Sequence, residues 1–253
     1  MSTKAKAYVW RAPKIFEAYK LYGKHGFYKS LLFSTIFYPI PVLLKLPTIN
    51  IRKYKNRLLR KEVVNYLDKK KGIKVPEVSG PFALMGLVEI FLMRLYDFFD
   101  VTKNDTVYDL GATVGEYSLK CAKMGANVVA VELEEDPYLS MKKNITANKF
   151  EQKIIPFNCR VDGKENSIDA FAKKTNTIPT IIKMDIEGDE EKALEGAKNT
   201  LRKHKPKIIL ETHSKKLEEG CMSILGPEGY RILKKIDMGA KNKETNLLFV
   251  SAE

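Results

Sequence analysis

Val107-Tyr-Asp-Leu-Gly-Ala-Thr-Val-Gly-Glu-Tyr-Ser-Leu119 is the stretch on which the fold turns. An apolar run ends in Asp109, and Gly111 and Gly115 then bracket a tight turn into a helix. Glycine is needed there because a ligand must approach the backbone, which a side chain would block. The helix that follows points free amide N–H groups at that ligand. The pattern is not the dinucleotide fingerprint, because Thr113 stands where the second glycine of G-x-G-x-x-G belongs, and no GxxxxGK[ST] phosphate loop occurs.

Outward from this loop, short apolar runs alternate with helical stretches. Strands are expected at Thr106–Leu110, Asn127–Glu132, Ile154–Asn158, Thr180–Ile186, Lys207–Glu211, Tyr230–Lys235 and Asn246–Val250. Helices are expected near Glu116–Lys123, Pro137–Lys149, Ser167–Lys174, Glu190–Lys203 and Lys215–Leu225. Such alternation implies a mostly parallel, seven-stranded sheet covered on both faces, an α/β Rossmann-like fold. Only Gly239 and a polar turn separate the last two strands, so they should close as an antiparallel hairpin.

The N-terminal third is different. Residues 1–80 hold 18 Lys plus Arg against 4 Asp plus Glu, although the whole chain carries only +13. The basic character therefore belongs to this region, where an anionic partner would be met. We divide the chain into a basic, largely helical extension over 1–80 and a Rossmann-like domain over 81–253. Residues 51–71 pattern as a basic amphipathic helix, and 82–99 as a buried helix or helix plus strand. Ser30 to Leu44 is uncharged but shorter than the roughly 20 residues of a membrane span, and Pro39 and Pro41 interrupt it. Aromatic and apolar residues flanked by lysines instead suit a peripheral seat on an anionic membrane. Cys121, Cys159 and Cys221 form no CxxC pair, so neither zinc nor a disulfide framework is indicated; a cytoplasmic setting fits.

Three places carry chemistry. Glu132 ends the next strand, about 20 residues after the glycine loop, where an acid can accept from both hydroxyls of a ribose. Lys183, Asp185 and Glu187 alternate along a strand end and are expected to share a face. His213 closes Leu210-Glu211-Thr212-His213 and would lie near Asp185 if the two strands are neighbours; a histidine at a cleft rim can act as a base. No dedicated metal cage is visible.

At these places the sequence resembles the FkbM family of methyltransferases. The family's D-x-G-A-N-x-G loop, acidic strand end, K-x-D-x-E-G segment and E-x-H segment read here as DLGATVG, VELEEDP, KMDIEGDE and ETH. Thr113 replaces the usual Asn, and Leu133 the usual Pro. The resemblance covers about Asp105 to Val250 and implies S-adenosylmethionine as cofactor and O-methylation of a hydroxyl, on a saccharide or lipid-linked saccharide. It implies that Asp109, Gly111, Ala112, Thr113 and Gly115 cradle the methionine part and that Glu132 holds the ribose. It further implies that Asp162 meets the adenine edge and that Lys183, Asp185, Glu187 and His213 line the acceptor pocket. Asp185 or His213 is the candidate base. An RNA methyltransferase that grips phosphates with residues 1–80 is the alternative, and a non-catalytic membrane-surface protein on the same scaffold is a third reading.

Overall fold

The computed structural model describes residues 60–80, 83–238 and 245–252. Seven strands form one sheet: β1 (Thr106–Leu110), β2 (Asn127–Glu132), β3 (Ile154–Asn158), β4 (Ile181–Met184), β5 (Lys207–Thr212), β6 (Tyr230–Asp237) and β7 (Asn246–Ala252). Their order is β3-β2-β1-β4-β5-β7-β6. The first five strands are mutually parallel, and β7 runs antiparallel to both β5 and β6. This is the Rossmann-like architecture with a C-terminal antiparallel hairpin that the alternation predicts.

The strands bury both faces, and their period of two sorts side chains between two cores. Val107, Val128, Ala130, Ile181, Ile209, Leu247 and Phe249 face one core. Tyr108, Leu110, Val129, Val131, Ile182, Met184, Ile208, Leu210, Leu248 and Val250 face the other. Each fully buried aliphatic side chain of this kind stabilises the fold by about 1.5–3 kcal/mol before entropy is charged.

The first core is covered by α1 (Ala83–Leu87), which runs on into a π turn at Val88–Leu92, and by α2 (Glu116–Lys123) and α3 (Glu135–Asn148). The second is covered by α4 (Ile168–Thr175), α5 (Glu190–Glu195), α6 (Lys198–His204) and α7 (Lys215–Leu225). The stretch 82–99 thus supplies a buried helix and no strand among its described residues.

Two boundaries differ from the sequence expectation. The single helix expected over Glu190–Lys203 is two helices. A Cβ at Gly196 would lie 2.7 Å from the Cβ of Ser167, so the loop before α4 presses on the chain there. The carboxylate of Asp169 then accepts from the amides of Asn199 (3.0 Å) and Thr200 (2.9 Å), starting α6 with a cap borrowed from a distant element. The second difference concerns residues 60–80, assigned above to the extension. Val63, Leu67, Ile73 and Val75 are buried in the first core. The side chains of Asn148 and Asn144 accept from the backbone of Lys74 (2.8 Å) and Glu77 (3.0 Å), so this stretch is laced to α3. The apolar stretch Leu31–Leu44 and the basic residues before 60 lie outside the described residues. Among the described residues no helix is long and apolar enough to cross a membrane.

Candidate active site

β1 has β2 on one side and β4 on the other. The chain order reverses there, and in open parallel sheets the crevice at the carboxyl ends of such strands takes the ligand. The glycine loop after β1 and the turn after β4 meet in that crevice. A Cβ on Gly111 would sit 1.8 Å from the carbonyl oxygen of Asp185, and the residue's φ is +76°. Glycine is therefore imposed twice, by approach and by backbone conformation. The amides of Gly111 and Ala112 both donate to the carbonyl of Val131 at 2.9 Å, which straps the loop to β2.

Thr113 adopts φ +52°. A β-branched residue is rare in this left-handed region, which Asn tolerates more readily. Thr113 therefore holds this backbone under strain. Its amide donates to Glu132 Oε2 at 2.7 Å, while Glu132 Oε1 accepts from the amide of Glu134 at 2.8 Å. Glu132 is buried, and both of its oxygens are fixed by backbone donors.

Asp109 is fully buried. Its Oδ2 accepts from the amide (3.0 Å) and hydroxyl (2.6 Å) of Ser118, so it caps α2 from beneath. Lys183 lies directly opposite Asp109 in the β1–β4 register, and its Nζ is 3.4 Å from Asp109 Oδ1. That ammonium also donates to the carbonyl of Gly111 at 2.7 Å. Burial draws the Lys183 pKa down, but the Asp109 and Asp185 carboxylates outweigh it and the net shift is upward. Asp109 and Lys183 therefore support the loop from below. Lys183 is thus buried beneath the loop, whereas the resemblance implied that it lines the acceptor pocket. The alternation itself ends at Met184, and Glu187 turns out of it with φ +58°. Asp162, the adenine-edge candidate, is occupied with its own loop, accepting from the amides of Lys164 (2.7 Å) and Asn166 (3.0 Å).

β4 and β5 are neighbours, and their ends bring Asp185 and His213 together. His213 Nε2 lies 3.4 Å from Asp185 Oδ1 and 3.7 Å from Glu187 Oε2. The Asp185 carboxylate, with Glu187 behind it, pushes the imidazole up to about 9, so His213 is charged at neutral pH. Burial opposes ionisation of Asp185, yet His213 and Lys183 prevail and its pKa is lowered. Glu211, on the same strand end, accepts from the hydroxyl of Tyr96 at 2.9 Å. Burial, then the charge of Asp185, pushes Glu211 up to about 7.

The sequence reading passed over four of these residues. Glu211 was quoted only as part of the His213 segment, and Tyr96 comes from a distant turn. Glu190 is fully buried beneath the turn after β4, where its Oε1 accepts from the amide of Ile186 at 3.0 Å. Glu116 opens α2 and is 3% exposed. No spacing in the sequence announces them, although an acid directly after a glycine loop is a visible signal for Glu116. Ligand atoms of Asp185, Glu211 and His213 lie within 4.8 Å of one another, so these three could also hold a divalent cation. Where the sequence shows no cage, tertiary contact across β4 and β5 assembles this set.

The crevice fits S-adenosylmethionine. The loop at Gly111 leaves no room for a Cβ. Glu132 stands buried at the end of β2, held against the loop through the amide of Thr113.

Comparison with known proteins agrees. Residues 160–241 match the methyltransferase FkbM domain, and residues 94–187 match the TRM5/TYW2 methyltransferase domain. No curated protein matches the chain in sequence. Sp1610 of Streptococcus pneumoniae, a candidate tRNA (m1A22) methyltransferase, shares 20% identity at a TM-score of 0.50, over 63% of this chain and 69% of its own. Its complex with S-adenosyl-L-methionine aligns equally well, over 70% of its own length. The methyltransferase FkbM of Methylobacillus flagellatus shares 19% identity at a TM-score of 0.47, over 77% of this chain and 60% of its own. At 20% identity the Sp1610 structures show a shared fold alone, while the two domain matches rest on sequence. With its crevice, glycine loop and strand order, the chain is an S-adenosylmethionine-dependent methyltransferase, and the part that carries Asp185, Glu211 and His213 lies within the match to the methyltransferase FkbM domain.

Proposed function

We propose that the chain transfers the methyl group to a hydroxyl oxygen of a sugar-like acceptor, and that the acceptor stands over Asp185, Glu211 and His213. The bound cofactor supplies an activated methyl group, so the protein's own tasks are alignment and removal of one proton. The observation that carries this reading is the acid cluster at the ends of β4 and β5, which falls inside the FkbM match. Glu211, pushed up to about 7, is poised to take the hydroxyl proton at neutral pH. His213, up at about 9, already holds a proton and serves better as a donor that orients the acceptor. Asp185, held ionised, fixes His213. This moves the role of base from Asp185 or His213 to Glu211.

A second reading is methylation of RNA. The TRM5/TYW2 match over 94–187 and the excess of 14 basic residues over acidic ones in residues 1–80 favour it. The TRM5/TYW2 match covers the cofactor half and Sp1610 is named as a candidate tRNA methyltransferase, so the comparisons lend this reading more support than the first, which rests on the acid cluster. A membrane-seated or lipid-linked acceptor would draw on the same basic region.

One experiment separates these readings. Purified protein is incubated with host extract and methyl-labelled S-adenosylmethionine, and the products are split into saccharide, lipid, RNA and protein fractions. Label in saccharide or lipid supports the hydroxyl reading. Label confined to RNA overturns it and makes residues 1–80 an RNA grip. Replacing Asp185 with Asn should then abolish turnover while leaving cofactor affinity within a few fold. Loss of cofactor binding instead would reassign Asp185 to the cofactor.

A further inference from the structure

We propose that the carboxylate of Glu116 receives the α-ammonium group in the methionine part of S-adenosylmethionine. The inference rests on the cofactor assignment alone and is independent of the acceptor.

That part of the cofactor is a zwitterion, with an α-carboxylate and an α-ammonium two bonds apart. The start of α2 suits the first, because a helix N-terminus favours an anion. The second needs an acid that is close to the loop and not already neutralised. Glu116 is the first residue of α2, directly after Gly115. Its Oε2 accepts from the amide of Val114 at 3.2 Å, so the carboxylate is fixed to the glycine loop itself. Its Oε1 is closed off from solvent and has no hydrogen-bond partner among the described residues. A buried acceptor left in this state costs free energy unless a donor arrives.

Charge leads to the same place. Under the loop lie two carboxylates, Asp109 and Glu116, and one ammonium, Lys183, which is committed to Asp109 at 3.4 Å and to the carbonyl of Gly111 at 2.7 Å. Among the described residues the nest is one positive charge short. Burial pushes Glu116 up to about 8 against the pull of Lys183, so without a further cation it holds a proton at neutral pH. The wall behind it is the backbone of α1: a Cβ on Gly86 would lie 2.8 Å from Glu116 Oε1. Gly86 thus leaves the carboxylate its room.

The opposing explanation is that Glu116 only stiffens the loop through Val114. Two ligands distinguish the two. S-Adenosylhomocysteine carries the amino-acid part; 5′-methylthioadenosine shares the adenosine and the sulfur but lacks it. In calorimetric titrations of the full chain, Glu116→Gln should weaken S-adenosylhomocysteine by about ten- to a hundredfold, the worth of a charge-assisted hydrogen bond. It should leave 5′-methylthioadenosine within about twofold. Equal weakening of both ligands, or of neither, overturns the proposal. A second measurement needs no variant. Near pH 7 the wild-type protein, titrated in two buffers of different ionisation heat, should release a proton on binding S-adenosylhomocysteine and none on binding 5′-methylthioadenosine. The groups facing Glu116 are Lys183 and Asp109, and both ligands leave their pairing in place. Identical proton release for the two ligands overturns the assignment.

Discussion

The two sides of the crevice are built on opposite electrostatic plans. On the β1–β2 side, Glu132 and the loop amides are paired before any ligand arrives, and Glu116 Oε1 is the exception. Both oxygens of Glu132 accept backbone amides, and Gly111 and Ala112 are strapped to Val131. On the β4–β5 side, Asp185, Glu187 and Glu211 crowd one imidazole, and Asp185 Oδ1 and His213 Nε2 meet as an ion pair without a well-formed hydrogen bond. Pre-paired groups hold a fixed shape, which favours binding. Crowded like charges move pKa values toward neutrality, which favours proton transfer. The contrast teaches that one crevice can divide recognition from chemistry between neighbouring strand ends.

The largest effect should come where the two sides touch. Gly111→Ala places a methyl group against the Asp185 carbonyl and forces alanine into a left-handed backbone. We expect a loss of about 3 kcal/mol or more in urea unfolding, with cofactor binding abolished. Near-normal stability would mean that the sides are not locked together at this contact.

The next test confines damage to the chemical side. Glu211→Gln should lower kcat by about a hundredfold to ten-thousandfold, the usual range for lost acid–base catalysis, while S-adenosylhomocysteine binds within about threefold of wild type. In the wild-type protein kcat/KM should climb through pH about 7, where Glu211 gives up its proton, and Glu211→Gln should remove that step. A matching loss of cofactor affinity would erase the proposed division of labour.

The charge of His213 also links stability to pH. Its folded pKa, about 9, lies above the ordinary value of 6.5. The stabilisation from its contacts with Asp185 and Glu187 is therefore complete below about pH 6.5 and is lost as pH rises through 9. Thermal melts of wild type and His213→Gln should differ most near pH 6 and converge toward pH 9.5. A constant difference across that window would show that the pair does not carry the charge assigned to it.

The smallest effect belongs to the binding side. Thr113→Asn should relieve left-handed strain and raise stability by roughly 0.5–1 kcal/mol in urea unfolding, because Asn enters that region at lower cost. Destabilisation would mean that the threonine side chain makes a compensating contact.

Much of this was legible in the residues. The strand and helix periodicities announced a covered parallel sheet, and the loop from Asp109 to Gly115 located its ligand end. The pairing of β4 with β5 turned the expected nearness of Asp185 and His213 into a 3.4 Å contact. For Lys183 the alternation gives a face and not a partner. Only the register, which sets it opposite Asp109, shows that the ammonium is used beneath the loop. Glu211 stayed hidden because burial and the charge of Asp185 on another strand push it up, while its hydrogen-bond partner Tyr96, which pulls the other way, lies 115 residues away in sequence. The break between α5 and α6 was hidden for the same reason, since Asp169 caps it from another helix.

The sequence by itself determined the sheet, the glycine turn, the acid at the end of β2 and the basic asymmetry of the first third, because each is written in local spacing and composition. The tertiary structure alone decided which carboxylates are neutralised and which are left needing a proton or a cation. That outcome depends on burial and on charges brought together from distant parts of the chain, and no local pattern of residues records it.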